Sequence, residues 1–285
     1  MPEPQEIGAE LGVTAHFDPQ REVEERIAFL KEYLVAAPMR CYVLGISGGV
    51  DSLTAGLLTQ RAVRDLRGNG YEAQFVAVRL PYGRQADEED AQRALAAIRP
   101  DQTVTVNIRA AADAMLADLK AGGFRAESAV HEDFLLGNIK ARQRMIAQFA
   151  LAGALRGLVI GTDHAAEAVM GFFTKFGDGA ADILPLSGLT KRRVRALATA
   201  LGAPDALIYK TPTADLESNA PLRPDEDAYG VTYDQIDDFL EGKAVDEIAR
   251  QRIIKAYLLT AHKRALPVSA HEFLPGTRST AAQMR

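Results

Sequence analysis

The stretch Cys41–Ser52, CYVLGISGGVDS, constrains this chain more than any other. The apolar run from Cys41 to Ile46 reads as a buried strand. Ser47-Gly48-Gly49-Val50-Asp51-Ser52 reads as a turn, and a helical pattern starts near Leu53. A strand, a glycine turn and a helix start make one half of a parallel α/β unit. Two glycines let the main chain turn tightly and meet a ligand with no Cβ in the way. The first N–H groups of the new helix have no partners within it and sit at its positive end, so the turn suits phosphate. Ser47 and Ser52 add hydroxyl donors, and the Asp51 carboxylate suits a magnesium ion. The bland alternative is a glycine turn that binds nothing.

Two familiar phosphate loops are excluded. No lysine follows the glycines, so the Walker pattern is missing, and Gly48-Gly49 does not fit G-x-G-x-x-G. The remaining pattern, S-G-G-x-D-S, resembles the loop of ATP pyrophosphatases, which split ATP into AMP and pyrophosphate.

Composition narrows the class. The 285 residues suffice for one large α/β domain, and 47% hydrophobic with 25% charged residues is an ordinary soluble balance. A net charge of −5 argues against bulk nucleic-acid binding. No apolar stretch is long enough to span a membrane, and MPEPQEIGAELGV lacks signal-peptide character. A single cysteine excludes an internal disulfide. The expectation is a cytoplasmic protein with no membrane and no nucleic-acid partner. Cys41, inside the apolar strand, reads as core rather than nucleophile.

Alternating strands and helices follow in order. Residues 1–16 read as a loose arm. Asp18-Pro19 opens a helix with Val23, Ile27, Leu30 and Leu34 at helical spacing. Strands are expected at 41–46, 73–80, at Val104, Val106 and Ile108, and at 158–161. A fifth extended run is expected at Asp182–Leu186. Helices are expected over about 53–66, 88–98 (capped by Asp87), 110–119, 131–156, 165–176 and from Thr190 to Leu201. Two more are expected over 233–240 and 245–263, the second with an apolar side of Val245, Ile248, Ile253, Tyr257 and Leu258. Gly137-Asn138 is a candidate break in the long 131–156 stretch. TPTADLESNAPLRP, residues 211–224, reads as a mobile lid loop, and 266–285 as an irregular tail. With no internal repeat or clear linker, residues 1–285 read as a single domain.

A second polar cluster, Gly161-Thr162-Asp163-His164-Ala165-Ala166-Glu167, follows the fourth strand and should face the same crevice as the glycine turn. Thr162 suits a base or ribose, and Glu167 is a hard oxygen ligand. Both also fit the ordinary first turn of a helix. Phe172, Phe173 and Phe176 surround Lys175, with Asp178 and Asp182 following; an aromatic ligand ring could stack there, or the phenylalanines could be core. Lys191-Arg192-Arg193 open a helix, where cations oppose its dipole; an anion beside them would offset that, although they also read as solvated surface. Lys140, Arg142 and Arg144 form another basic stripe with the same two readings. His262-Lys263-Arg264 end a helix, where the dipole alone explains them.

SGGVDS, GNIKARQRMIAQ, GTDHAAEAVMGFFTKFGDGAADILPLSGLTKRRVRALA, PTADL, GVTYDQIDDFLEG and the final HK stand in one order over residues 18–265. Together they resemble the ammonia-dependent NAD synthetase family. That resemblance implies a Rossmann-like α/β fold of the adenine nucleotide alpha-hydrolase type, with a five-stranded parallel sheet sandwiched by helices. It implies a homodimer that converts deamido-NAD, ATP and ammonia to NAD, AMP and pyrophosphate. By motif position, Gly45, Ile46, Ser47, Gly48, Gly49, Val50, Asp51 and Ser52 would hold the ATP phosphates. Asp51 and Glu167 would bind Mg²⁺. Thr162, Lys191 and Thr213 would contact ATP, with Asp51 and Lys191 serving catalysis. Arg142, Lys175, Asp182, His262 and Lys263 would contact deamido-NAD, with Phe172 or Phe173 against the nicotinate ring. Val50 replaces a glutamine common in relatives, and Pro221 and Pro224 replace a more acidic stretch of the lid. Too few residues precede the loop for an amidase domain, so free ammonia, or ammonia from a separate partner, is the expected nitrogen source.

Overall fold

The computed structural model describes residues 2–83, 87–214 and 223–269. The elements run α1 (Pro4–Glu10), α2 (Pro19–Ala36), β1 (Cys41–Gly45), α3 (Val50–Gly68), β2 (Gln74–Arg79), α4 (Glu88–Ile98), β3 (Gln102–Thr105), α5 (Arg109–Ala121), α6 (Ala129–Ala154) and β4 (Gly157–Val159). They continue with α7 (Ala165–Met170), α8 (Lys191–Ala200), α9 (Asp205–Ile208), β5 (Thr213–Ala214), β6 (Arg223–Pro224), α10 (Asp225–Tyr229), α11 (Tyr233–Leu240), α12 (Glu247–Leu259) and α13 (Ala261–Arg264).

The parallel sheet has the order β3-β2-β1-β4, with Cys41 opposite both Gln74 and Gly157. Strand β1 is apolar throughout because both its faces are covered. Tyr42 and Leu44 point into a core shared with α2, α3 and α8, while Cys41 and Val43 point to the opposite face beside Ala152 of α6. Burial pushes the Cys41 thiol up to about 12, which suits a core residue and not a nucleophile. Helix α2 begins as the Asp18-Pro19 pair predicts: the Asp18 carboxylate accepts from the Arg21 N–H at 2.8 Å. A third core joins α1, α7, α11 and α12. The sheet grows in one direction from β1 through β2 to β3 and then in the other through β4. The switch point, where such sheets bind ligands, therefore lies beyond the carboxyl ends of β1 and β4.

Several expectations are corrected. The described sheet holds four strands; the fifth run is reduced to one parallel bridge, Ile160 to Ile183. Pro185 has no N–H to continue a ladder, and the chain turns at once, with Ser187 N–H donating to the Leu184 carbonyl at 3.2 Å. The third strand ends at Thr105, before Val106 and Ile108. The amino-terminal arm is no loose tail: α1 buries Ile7, and a Cβ at Gly8 would meet the Leu240 carbonyl oxygen at 2.5 Å. Gly137-Asn138 does not divide α6, which runs for 26 residues. A glycine costs a helix only about 1 kcal/mol, and the Asn138 amide donates back to the Phe134 carbonyl at 3.1 Å.

Helix α7 stops at Met170 instead of reaching Phe176, because Gly171 takes the left-handed conformation (φ +60°) under Thr260. The final helix breaks at Thr260 into α12 and α13. Its buried side is Ala249, Ile253, Ile254 and Tyr257, whereas Ile248 and Leu258 are exposed. Within 211–224, β5 pairs antiparallel with β6; Pro221 and the rest of 215–222 lie outside the described residues, as does 270–285 of the tail.

Candidate active site

The glycine turn is built by its neighbours. Strand pairing continues to Ile46, whose N–H reaches the Val78 carbonyl at 2.9 Å, and the Arg79 guanidinium donates to the Ile46 carbonyl. Gly45 N–H is held by Gln148 of α6 at 2.8 Å. Gly48 takes φ +91°, and a Cβ there would lie 2.7 Å from Ala91 N, so the turn rests directly on the first turn of α4. The two serines brace it: Ser47 Oγ and Ser52 Oγ are 3.2 Å apart, and Ser52 Oγ donates to the Gly49 carbonyl at 3.2 Å. Helix α3 starts at Val50, so Asp51 and Ser52 occupy its first turn.

Asp51, His164, Glu167 and Lys191 converge beside this turn. Lys191 Nζ lies 2.7 Å from Asp51 Oδ2 and 3.4 Å from His164 Nε2, and it is almost wholly buried at 1% exposure. His164 Nε2 lies 3.4 Å from Asp51 Oδ1 and 3.6 Å from Glu167 Oε1. Burial alone would raise the Asp51 carboxyl, yet the Lys191 ammonium and the His164 imidazole hold it well below the usual carboxylate range. Burial pushes Glu167 up to about 8, since His164 only partly counters it. Burial opposes the charge on Lys191, but Asp51 and Glu167 together hold its ammonium above the ordinary lysine value. One ligand atom from each of Asp51, His164 and Glu167 falls within 4.8 Å of the others, and Asp51 Oδ1 is buried with no hydrogen-bond partner among the described residues. Two carboxylates, one of them with an unpartnered buried oxygen, fit a divalent cation.

Lys191 is placed by a cap from elsewhere in the chain. Thr190 spends its hydroxyl on Glu241 Oε1 at 3.0 Å and does not cap α8. Asp237 of α11 does so instead, accepting from Lys191 N–H at 2.9 Å and Arg192 N–H at 2.7 Å. Arg192 pairs with Asp238 and Glu241, and Arg193 with Glu241. The protein's own carboxylates therefore offset the cations at this helix start, and the cluster is not simply solvated surface.

Asp51, Glu167 and Lys191 line a cavity of about 430 Å³ at the switch point. Residues 22–267 match the sequence profile of the NAD synthase family. The chain belongs to the NAD synthase family. It is 62% identical over 270 residues to the NH(3)-dependent NAD(+) synthetase of Burkholderia pseudomallei (strain 1106a), covering 95% of each chain. The crystal structure of NAD+ synthetase from Burkholderia pseudomallei superposes with a TM-score of 0.81 at 60% identity, over 94% of this chain and 99% of that one. NMN synthetase from Francisella tularensis superposes with a TM-score of 0.78 at 35% identity, over 89% of this chain and 99% of its own.

Of the positions that NAD synthase motifs single out, Gly45, Ile46, Ser47, Gly49, Val50, Asp51, Ser52, Thr162, Glu167, Lys191 and Thr213 line the cavity. Phe172, Phe173 and Lys263 line it as well. Phe172 packs edge-on against Tyr229 at 4.7 Å, and Lys263 stands 5.7 Å from the Phe173 ring. Gly48 faces α4 instead. Arg142, Lys175 and His262 form a separate group outside the lining: Arg142 donates to the Lys175 carbonyl at 3.2 Å, and Lys175 Nζ to the His262 carbonyl. Asp182 also lies outside it, its Oδ2 accepting from Val159 N–H at 2.7 Å. Lys140 of the basic stripe is buried, its ammonium 4.2 Å from the Tyr82 ring.

The sequence reading missed His164, Arg79, Lys210 and Asp225. His164 stood within the GTDHAAE cluster, but as the residue before a helix it had no feature in the sequence to set it apart from an ordinary cap. Asp225 Oδ2 accepts from the Tyr233 hydroxyl at 3.0 Å, and that ring lies 4.8 Å from Lys191 Nζ. Nothing in the spacing of these residues announces such contacts.

Proposed function

We propose that this chain makes NAD by amidating deamido-NAD with ammonia at the expense of ATP, which leaves as AMP and pyrophosphate. The observation that carries this reading is the braced glycine turn beside a buried Asp51–Lys191 pair, in a chain of the NAD synthase family. ATP is the co-substrate, with its phosphates over residues 45–52 and Thr162 and Thr213 against the nucleoside.

A carboxylate is a poor electrophile because its oxygen leaves badly. One oxygen of the nicotinate carboxylate attacks the α-phosphorus, and the bond to the bridging oxygen breaks as pyrophosphate leaves. Ammonia then attacks the acyl carbon of the adenylate. AMP departs with the C–O electron pair, and one proton goes to solvent. Lys191 and the main-chain amides stabilise the charge that moves onto the phosphates, and the cavity walls orient the reactants. Asp51 and Glu167 would hold Mg²⁺, which supplies further charge neutralisation at the phosphates. No protein nucleophile enters the scheme.

Arg142, Lys175, Asp182, His262 and Lys263 are assigned to deamido-NAD, with Phe172 or Phe173 at the nicotinate ring. A homodimer would account for Arg142, Lys175, Asp182 and His262 lying outside the cavity lining of one chain, which Lys263 does reach. It also accounts for exposed apolar side chains on α5 and α6, where Met115, Leu119, Val130 and Ile146 are all more than 40% exposed. Ile146 turns outward, while Phe149 of the same helix packs on the sheet core.

The test is incubation with deamido-NAD, ATP, Mg²⁺ and ammonium, with NAD and AMP measured together. Equal yields of the two are expected, and nicotinate mononucleotide in place of deamido-NAD is expected to be the poorer acceptor. AMP without NAD, or no AMP at all, would refute the assignment.

A further inference from the structure

We infer that Lys210 is a second phosphate-binding cation of this site, one that contacts the β and γ phosphates of ATP and therefore the departing pyrophosphate. The inference rests on the reading that residues 45–52 hold the triphosphate.

Lys210 follows α9, whose Leu207 and Ile208 are fully buried in the core with α3 and α8, so its main chain is anchored. With Thr211, Pro212 and Thr213 it forms one wall of the cavity. Its Nζ lies 2.7 Å from Asp90 Oδ2 and 4.0 Å from Asp87 Oδ2. Asp87 precedes α4 and Asp90 lies in its first turn, the surface on which Gly48 rests. A Cβ at Gly48 would lie 3.0 Å from the Asp90 carbonyl carbon. The ammonium therefore stands beside the phosphate turn, reaching it through α4 as Lys191 reaches it through Asp51 of α3.

ATP brings about four negative charges to the site, more than one lysine and one divalent cation neutralise. Lys191 is already engaged by Asp51, and Lys263 donates to the Gly171 and Phe173 carbonyls, away from the turn. Lys210 makes one close ion pair, with Asp90, and is only 4.0 Å from Asp87, so its ammonium is held at the cavity wall by an acid it can exchange for a phosphate. Asp90 has another partner, Arg93, at 3.3 Å, and does not become a bare anion when Lys210 turns away. A lysine suits the exchange, being a point charge on a flexible four-carbon stem.

The experiment is calorimetric titration of the full-length protein with inorganic pyrophosphate and Mg²⁺, alongside steady-state kinetics. Lys210→Met is expected to weaken pyrophosphate binding and to raise KM for ATP by roughly 10–100-fold, the value of one charge-assisted contact, with KM for deamido-NAD unchanged. Lys210→Arg is expected to recover most of the loss. Asp90→Asn removes the same ion pair but frees the lysine, and is expected to leave pyrophosphate binding equal or tighter. If Asp90→Asn weakens binding as much as Lys210→Met does, Lys210 is only a strut and the inference falls. Ser47→Ala combined with Ser52→Ala separates the two layers of the argument. Loss of binding there with none in Lys210→Met overturns the role of Lys210 alone, whereas unchanged binding in both overturns the phosphate-turn reading as well.

Discussion

Asp51 and Glu167 flank one imidazole, yet their carboxyls move in opposite directions. Asp51 touches Lys191 and stays ionised; Glu167 sits behind it, buried and without its own cation, and rises to about 8. The sign for stability follows from linkage. A group raised in the folded state contributes stability that is fully present below its unfolded value, here near 4.5, and lost as pH climbs to about 8. The metal-free protein is expected to lose stability over that window. Glu167→Gln should flatten the decline in chemical-denaturation midpoints, and an equally steep decline in that variant would refute it. Asp51, Glu167 and Lys191 were legible because each follows a strand end or a helix start. His164 was not, since a lone histidine at a helix start looks like any solvated cap until its neighbours are known.

Among elements, α8 shows what a linear reading cannot supply. Thr190 stands where a cap is expected, but Asp237 performs the capping from a position far along the chain. Tertiary contact alone makes that bond. Asp237→Ala should cost about 1–2 kcal/mol, the ordinary value of a helix cap, and lower NAD formation by displacing Lys191. An unchanged urea midpoint together with unchanged activity would rule this out. Other elements were legible through periodicity and punctuation. The Asp18-Pro19 start and the 233–240 helix appear as read, while Gly137-Asn138 proved too weak a breaker against a helix packed along its length. The fifth strand failed for a nameable reason, Pro185, which the sequence displayed and the reading underweighted.

At the scale of the whole molecule, the alternation of strands and helices announced a parallel sheet, and its switch point holds the cavity. What the pattern could not announce was which apolar faces stay uncovered. Ile146 and Phe149 share one helix and one chemistry, yet one faces out and the other in. The proposed homodimer predicts that Ile146→Glu with Val130→Asp sediments as a monomer; a sedimentation coefficient matching the unmodified protein would count against that interface.

Lys191 also has a mechanical role. Its main-chain N–H is gripped by α11, which belongs to the core of α1, α7 and α12, while its ammonium is locked onto α3, which belongs to the core under the sheet. Lys191 is thus the dowel in a joint between two blocks of the protein. Warming should slacken that joint before either block melts, so the enzyme is expected to fall silent at a temperature where its helices are still whole.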